Sequence, residues 1–413
     1  MTDAVKILFE KALQLDHPWQ ISIVEFVEKD KLLNIYLDFP KGSEFKCPKC
    51  GSTVKAYDTE PKKWKHLNFF QYECYIHARV PRIKCNNDGI TQVLLPWARE
   101  RSDLTLLFEA FAMTLCREMP TNKVAQIIKV DDEKLWRMQY HYVEESRKLE
   151  DYSEVDSIGV DETSMRKGHD YITLVVDLKK KKTIYVTPGK DAETIKAFWK
   201  DFIEHKGIPE NIGSASIDMS PAFIKGMQDH FPNAQIIFDK FHIMKIINKA
   251  VDGVRREEYK EQEILRDTKY IWLKNRNNLT KDQKERLTQI ESMPDLNLKT
   301  IRAMHIRENF QEIYKEETKK EFETSLKKWF FWATHSKIEQ MIEAAATIKN
   351  HWDGIISWFQ NKINNGILEG LNSLIQAAKS KARGYKTFKN LMTMVYMLTG
   401  KLNFEALDFT HTK

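Results

Sequence analysis

Two short apolar runs in this chain each lead to a carboxylate. Val155-Asp156-Ser157-Ile158-Gly159-Val160-Asp161-Glu162-Thr163 brings one to Asp161, and Gly213-Ser214-Ala215-Ser216-Ile217-Asp218-Met219-Ser220 brings another to Asp218. Hard divalent cations are held by carboxylate oxygens on a rigid scaffold, so acids at two strand ends suit a metal-dependent centre. A single Asp at a strand end is ordinarily a turn or helix cap. A third acid is offered near the end of the chain. Asn364-Asn365-Gly366 opens a helix on which Glu369, Asn372, Ser373, Gln376, Lys379, Ser380 and Arg383 share one face. The segment 371–404 holds Lys379, Lys381, Arg383, Lys386, Lys389 and Lys401 and no acid, so this carboxylate stands beside a wholly basic stretch suited to a polyanion.

The elements around these acids have a definite order. Strand-like runs at 157–160, 171–176 and 183–186, joined by short turns, predict an antiparallel meander. A helix follows at 192–205, then a strand at 214–217, a helix at 221–230, a strand at 235–238 and a helix from Phe241. The order βββ-α-β-α-β-α resembles the RNase H fold, in which the first and fourth strands are neighbours. Asp161 and Asp218 would then meet at one end of the sheet. From 250 to 349 the chain is helical and strongly charged, as in Arg255-Arg256-Glu257-Glu258 and Lys319-Lys320-Glu321. Turns at 275–280 and at Met293-Pro294-Asp295 divide it, and Trp329, Phe330, Phe331 and Trp332 are expected to pack inside it. This stretch reads as an all-helical insertion whose charges are mostly solvated.

The first part of the chain carries different chemistry. Cys47-Pro48-Lys49-Cys50-Gly51 has the spacing of a zinc knuckle, with a glycine that relieves the turn. Cys85-Asn86-Asn87-Asp88-Gly89 repeats the spacing with Asp in the last position, so Cys47, Cys50, Cys85 and Asp88 are the candidate zinc ligands. Cys74, His66 and His77 lie between. The alternative is a ribbon without metal, held by Trp64, Phe69, Phe70, Tyr72 and Tyr75. Beyond Pro96-Trp97, Ser102 is placed to cap a helix running through Leu104 to Leu115. Pro120-Thr121 restarts a short one at 123–128, and Asp131-Asp132 caps a third at 134–148. Two short helices joined by a tight polar turn predict a helix-turn-helix, with Lys134, Arg137, Gln139 and Tyr140 facing DNA.

Length and composition agree with a multidomain α+β protein. The 413 residues divide as 1–97 (zinc-ribbon-like), 98–150 (helix-turn-helix), 151–250 and 351–413 (two parts of an RNase H-like α/β core) and 251–350 (insertion). Apolar residues make up 42 % and charged residues 30 %, with a net charge of +6, so local basic patches rather than overall charge must attract nucleic acid. No apolar run is long enough to span a membrane, and the first residues lack a secretory pattern. Five cysteines without such a signal fit a reducing compartment and metal ligation rather than disulfides.

Taken together these motifs resemble the bacterial insertion-sequence transposases of the ISL-three family, which belong to the DDE group. The resemblance rests on the Cys47–Cys50 knuckle with Arg82-to-Cys85, Leu94-Leu95-Pro96-Trp97-Ala98-Arg99, the two acid motifs, Asp239-Lys240-Phe241-His242, and Leu368-Glu369-Gly370-Leu371-Asn372. It implies a catalytic triad of Asp161, Asp218 and Glu369 holding two Mg²⁺ (or Mn²⁺) ions, about 3.5–4 Å apart in such centres. Asp239, His242, Asn372, Lys379 and Arg383 would support the centre or position DNA, with Lys381 and Lys386 on the backbone. The implied partner is double-stranded DNA, at element ends and target, bound by a homodimer or larger assembly in the bacterial cytoplasm, at the nucleoid. Two positions depart from the family pattern: Asp88, where relatives carry His or Cys, and Gln376, where many DDE enzymes carry a base whose role Lys379 or Arg383 would take. Two other readings stay open: a DNA-binding regulator with a dead core, and an RNase H-like nuclease that cuts without joining.

Overall fold

The computed structural model describes residues 3–165, 170–293, 297–361 and 366–404, so the proposed helix start at Asn364-Asn365 and the turn residues Pro294 and Asp295 lie outside it. The chain forms two compact units, Met1–Leu149 with Leu402–Lys413, and Glu150–Lys401. Among the described residues no helix is long and apolar enough to cross a membrane.

The first unit opens with α1 (Asp3–Ala12) and a six-stranded sheet: β1 (Gln20–Val27), β2 (Leu32–Asp38), β3 (Glu44–Lys46), β4 (Thr53–Phe69), β5 (Tyr72–Cys85) and β6 (Gly89–Gln92). The order is β1-β2-β5-β4-β3, with β6 on β5. Alternation builds it: along β2 and β5 every second side chain, including Leu33, Ile35, Leu37, Cys74, Ile76 and Ala78, is buried. The long β4–β5 hairpin turns at Phe70, whose φ of 50° is left-handed. Three helices follow: α2 (Leu106–Glu118), α3 (Thr121–Ile128) and α4 (Asp132–Lys148). Two expected caps are corrected. Thr105, not Ser102, caps α2, accepting from Phe108 N–H, while the Ser102 hydroxyl donates to Glu109 at 2.7 Å. Asp131 precedes α4 with no side-chain cap bond.

The second unit is built on β7 (Ser157–Ser164), β8 (Tyr171–Asp177), β9 (Lys182–Pro188), α5 (Ala192–Glu204), β10 (Ser214–Ile217), α6 (Pro221–His230), β11 (Gln235–Phe238) and α7 (Lys240–Glu258). The sheet order β11-β10-β7-β8-β9, antiparallel from β7 to β9 and parallel from β7 to β11, is the RNase H arrangement. Phe198, Phe202, Phe223, Phe231 and Ile217 fill its core. Asp191 starts α5 with a capping box, accepting from Thr194 N–H while the Thr194 hydroxyl accepts from Asp191 N–H.

The insertion consists of α8 (Lys269–Leu273), α9 (Lys281–Glu291), α10 (Lys299–Ile313), α11 (Lys319–Thr334) and α12 (Glu339–Asn350). Helix α7 runs unbroken across the expected junction at 250 and is the helix on which the insertion is centred. Trp329 is buried as expected, but Phe331 and Trp332 are 64 % and 42 % exposed, because only one face of α11 meets its neighbours. The chain returns to the sheet through α13 (Trp352–Asn361), α14 (Gly366–Lys381) and α15 (Phe388–Thr399). Gly354 lets α13 lie directly on the Phe238 ring of β11, 2.3 Å from where a Cβ would stand.

Candidate active site

Strand register aligns the acids. Ser216 of β10 pairs with Gly159 of β7, and Ile217 pairs with Phe238 of β11. Continued to the next residues, this register places Asp218 level with Asp161 on one side and with Asp239 on the other. Asp161 does not end its strand, as the sequence suggested. β7 runs on to Ser164 because β8 continues to pair with it, Asp161 lying opposite Leu174. Each of the three acids has one oxygen fixed by the backbone that follows it. Asp161 Oδ1 accepts from Glu162 N–H at 2.8 Å, Asp218 Oδ1 from Ser220 N–H at 2.7 Å, and Asp239 Oδ1 from Phe241 N–H at 2.8 Å. The last bond also caps α7. His242, one turn on, lies with Nδ1 3.5 Å from Asp239 Oδ2.

The electrostatics follow from this crowding. Burial pushes the Asp161 carboxyl up, opposed by the Glu162 N–H and by His242, and reinforced by Asp239 and Asp218. The neighbouring Glu162 is also raised, by burial and then by Asp218. His242 is raised by its contact with Asp239, against its own burial. Carboxylates at one end of the sheet, with Asp161 and Glu162 partly desolvated and raised by their acidic neighbours, are a donor set whose repulsion a hard divalent cation offsets. The acids are not drawn tight, however. Among the described residues, the group whose candidate ligand atoms all lie within 4.8 Å of one another is Cys47, Cys50, Cys85 and Asp88.

Helix α14 supplies the remaining candidates. Asn372 Nδ2 donates to Asp161 Oδ2 at 2.6 Å, Gln376 Nε2 to Thr163 Oγ1 at 2.5 Å and Lys379 Nζ to the Ser164 carbonyl at 2.7 Å. Positions one and two turns apart thus clip the helix along β7. Leu368 completes the seat, packing with Val176 and Leu178 over Gly159. The sequence could not show that the Lys379 head group is spent on a carbonyl of β7, nor that Gln376, standing where a base was expected, bonds to Thr163. Glu369 is exposed in the first turn of α14 and lines one cavity together with Asp239. Arg383, Lys381 and Lys386 are exposed beyond it. The acid the sequence undervalued is Asp239. Its signal was present, since β11 is a third short strand ending in Asp.

In the first unit the turns β3–β4 and β5–β6 lie at the same end of the sheet and bring the candidate zinc ligands together. Cys50 Sγ and Cys85 Sγ are 3.4 Å apart, and Asp88 Oδ2 is 3.3 Å from Cys47 Sγ and 3.6 Å from Cys85 Sγ. Gly51, at φ 74°, allows Gly51 N–H to close the knuckle on Cys47 O. The Ser52 hydroxyl and the N–H groups of Asn87 and Asp88 pull the Cys85 thiol down to about 7. Three sulfurs and one carboxylate at these separations fit tetrahedral zinc. Cys74, by contrast, is pushed up to about 12 by burial, and His66 is lowered to about 4 by burial and bonded to Thr105.

The helix-turn-helix pair is α3 and α4, joined through Lys129 at φ 51°. Gln139 is corrected: it is fully buried, and its amide donates to Thr121 Oγ1 and Leu135 O, tying α4 to α3 instead of facing DNA. Lys134 pairs with Asp103, Arg137 is exposed, and the Tyr140 ring stacks on Trp136.

An RNase H-like sheet with aligned acids, in a chain that also holds a zinc knuckle and a helix-turn-helix, defines a DDE-type transposase. Comparison with known sequences agrees along most of the chain. A family profile described as transposase, of ISL3 type, matches residues 158–395, more than half of it. The helix-turn-helix domain of transposase family ISL3 matches 93–143, and the zinc-finger of transposase IS204/IS1001/IS1096/IS1165 matches 43–88. The chain belongs to the ISL3 transposase family. Its relatives include the transposase for insertion sequence element IS1001 of Bordetella parapertussis, 25 % identical over 382 residues, covering 89 % of this chain and 93 % of that one. The transposase for insertion sequence element IS1557 of Mycobacterium tuberculosis is 23 % identical over 431 residues, covering 95 % of each.

Proposed function

We propose that this transposase binds the ends of its element as double-stranded DNA, cuts at those ends and joins them to a target. Asp161, Asp218 and Glu369 would hold two Mg²⁺ or Mn²⁺ ions. When bound, such ions supply an activated water or 3′-hydroxyl nucleophile and stabilise charge on the leaving oxygen. The protein's own residues do the rest. The Asn372 amide fixes which way the Asp161 carboxylate faces, since its other oxygen is held by Glu162 N–H. His242 balances part of the acid charge from beside Asp239. The exposed cations Lys381, in the last turn of the helix that bears Glu369, and Arg383 and Lys386 just past it would draw a phosphate backbone toward the acids. Arg137 and Tyr140 on α4 are the candidates for reading the terminal repeats, with the zinc ribbon on the DNA backbone. Pairing two ends calls for a dimer or larger assembly once DNA is bound.

The observation that carries this reading is the single level at which β7, β10 and β11 present Asp161, Asp218 and Asp239, with α14 clipped to the first of them. The test is incubation of the full chain with labelled element-end DNA and Mg²⁺ or Mn²⁺. Cleavage and joining that vanish in Asp161→Asn, Asp218→Asn and Glu369→Gln are expected. Joining that survives Asp218→Asn overturns the site, and cutting without joining makes the protein a nuclease.

A further inference from the structure

The turn end of the β4–β5 hairpin carries side chains that neither the acids nor the zinc knuckle employs. Phe70 stands at its tip, 82 % exposed, with a left-handed φ of 50° that glycine or asparagine would adopt with less strain. Its ring lies edge-on to Phe69 at 4.8 Å. Phe69 in turn meets the ring of Phe26 on β1 at 6.2 Å, and Phe26 is itself 38 % exposed. Apolar side chains exposed together, rather than singly, mark an interaction surface.

Beside this knob lies a hollow of about 650 Å³. It is lined by Asn68 and Gln71, which flank the two phenylalanines, and by Phe111 of α2 and Ile127 of α3, which are 45 % and 60 % exposed. A knob and a hollow side by side on one surface fit an isologous contact, in which each copy's knob enters the other's hollow across a twofold axis.

The charges at the rim identify the occupant. The β1–β2 turn lies against the hairpin end, Glu73 N–H donating to Lys31 O at 2.9 Å, and its sequence is Glu28-Lys29-Asp30-Lys31. All four residues are exposed, and among the described residues none of them forms an ion pair. Lys29, Asp30 and Lys31 also line the hollow. A DNA backbone would meet two acids for two bases here. A second copy presents the same alternation and can set each acid against a base, around an aromatic centre of the kind that protein interfaces favour.

We propose that this end of the first unit is a contact between two copies of the chain, Phe70 of each seated in the hollow of the other and the two charged turns facing one another. The inference rests on the proposed assembly that pairs two element ends, and it puts the contact in the unit that would read those ends.

The experiment is sedimentation velocity of the full chain over a range of concentrations, without DNA or added divalent metal, so its failure is distinct from a failure to cut or join. A monomer–dimer equilibrium is expected. Phe70→Asn accepts the left-handed backbone and removes the ring. It should weaken the dimer about 30-fold, the scale of a central aromatic anchor, with circular dichroism and zinc content unchanged. Lys29→Glu with Lys31→Glu, and separately Glu28→Lys with Asp30→Lys, should each give monomers, and mixing these two proteins should restore a dimer. A natural chain that stays monomeric at every concentration overturns the contact, as does a dimer that Phe70→Asn leaves intact or a mixture that stays monomeric. A monomer whose affinity for end DNA falls in Phe70→Asn would overturn it too, and assign the knob to DNA.

Discussion

Asn372 reaches Asp161 across 211 residues of chain, its amide Nδ2 donating to the carboxylate Oδ2 at 2.6 Å, while its own Oδ1 is buried without a partner. One side chain thus fixes the orientation of an acid on β7 and the position of the helix that carries Glu369.

Substitution of Asn372 should therefore separate positioning from binding. Asn372→Ala is expected to lower strand cleavage about 10- to 100-fold, the cost usually seen when a partner of a metal-holding carboxylate is removed. Affinity for end DNA should stay unchanged. Asn372→Asp should cost more, because it sets a like charge against Asp161. Single-turnover cleavage across a range of Mn²⁺ concentrations, beside an equilibrium DNA-binding measurement, checks this. A loss of DNA binding equal to the loss of cleavage would assign Asn372 to the DNA contact instead.

What the sequence carried of this site was local. The strand-like runs at 157–160, 171–176 and 183–186 with their short turns, and the Ser-Pro after Asp218, were enough to order the sheet, since turn and cap chemistry act within a few residues. The level of Asp239 with the other two acids was not legible, because it depends on register between strands joined by helices. Nor was the fate of α14's polar face: Asn372, Gln376 and Lys379 look alike in sequence as exposed polar positions, and only the docked helix shows each donating to β7. Gln139 failed for the converse reason. A glutamine in a polar helix reads as surface, but the α3–α4 packing buries it against Thr121.

The fourth position of the zinc cluster can be tested by exchange. Asp88→Cys should complete a four-sulfur site and resist chelators better than the natural chain, while Asp88→Ala should release metal more readily. Cobalt substitution gives the readout, since thiolate-to-metal absorption rises with each added sulfur. Identical chelator resistance in all three proteins would show that Asp88 does not ligate.

Within the first unit, Glu73 on β5 meets both Lys129, at the end of α3, and Lys65 on β4. Lys129 first, then Lys65, hold its carboxyl below the ordinary value of 4.5, against its partial burial. A carboxyl lowered in the fold contributes stability that is complete above that ordinary value and disappears as pH falls through the folded one. Glu73→Gln should cost about 2 kcal/mol at neutral pH, the scale of a hydrogen bond to a charged group. The gap from the natural chain should close below pH 4.5. Thermal melting at several pH values reads it, and a gap that persists in acid would assign the loss to packing.

Gly159 decides whether α14 can reach its seat at all. A Cβ there would stand 3.0 Å from both terminal methyls of Leu368 and from one of Leu178, closer than ordinary packing allows. Leu368 precedes Glu369 and lies one turn before Asn372, so whatever lifts Leu368 also shifts that acid and strains the Asn372 bond to Asp161. Gly159→Val should overpack this contact by about 1–3 kcal/mol and abolish cleavage, with the sheet's far side intact. Gly159→Ala should slow cleavage more mildly, and adding Leu368→Ala should restore part of the lost rate, because the second change opens the space that the first one fills. Cleavage rates and melting temperatures of the two single variants and the double variant form a cycle in which non-additivity measures the contact. Strict additivity would mean that Gly159 matters to β7 alone, and that Glu369 is held in place by the polar clips of α14 without this apolar seat.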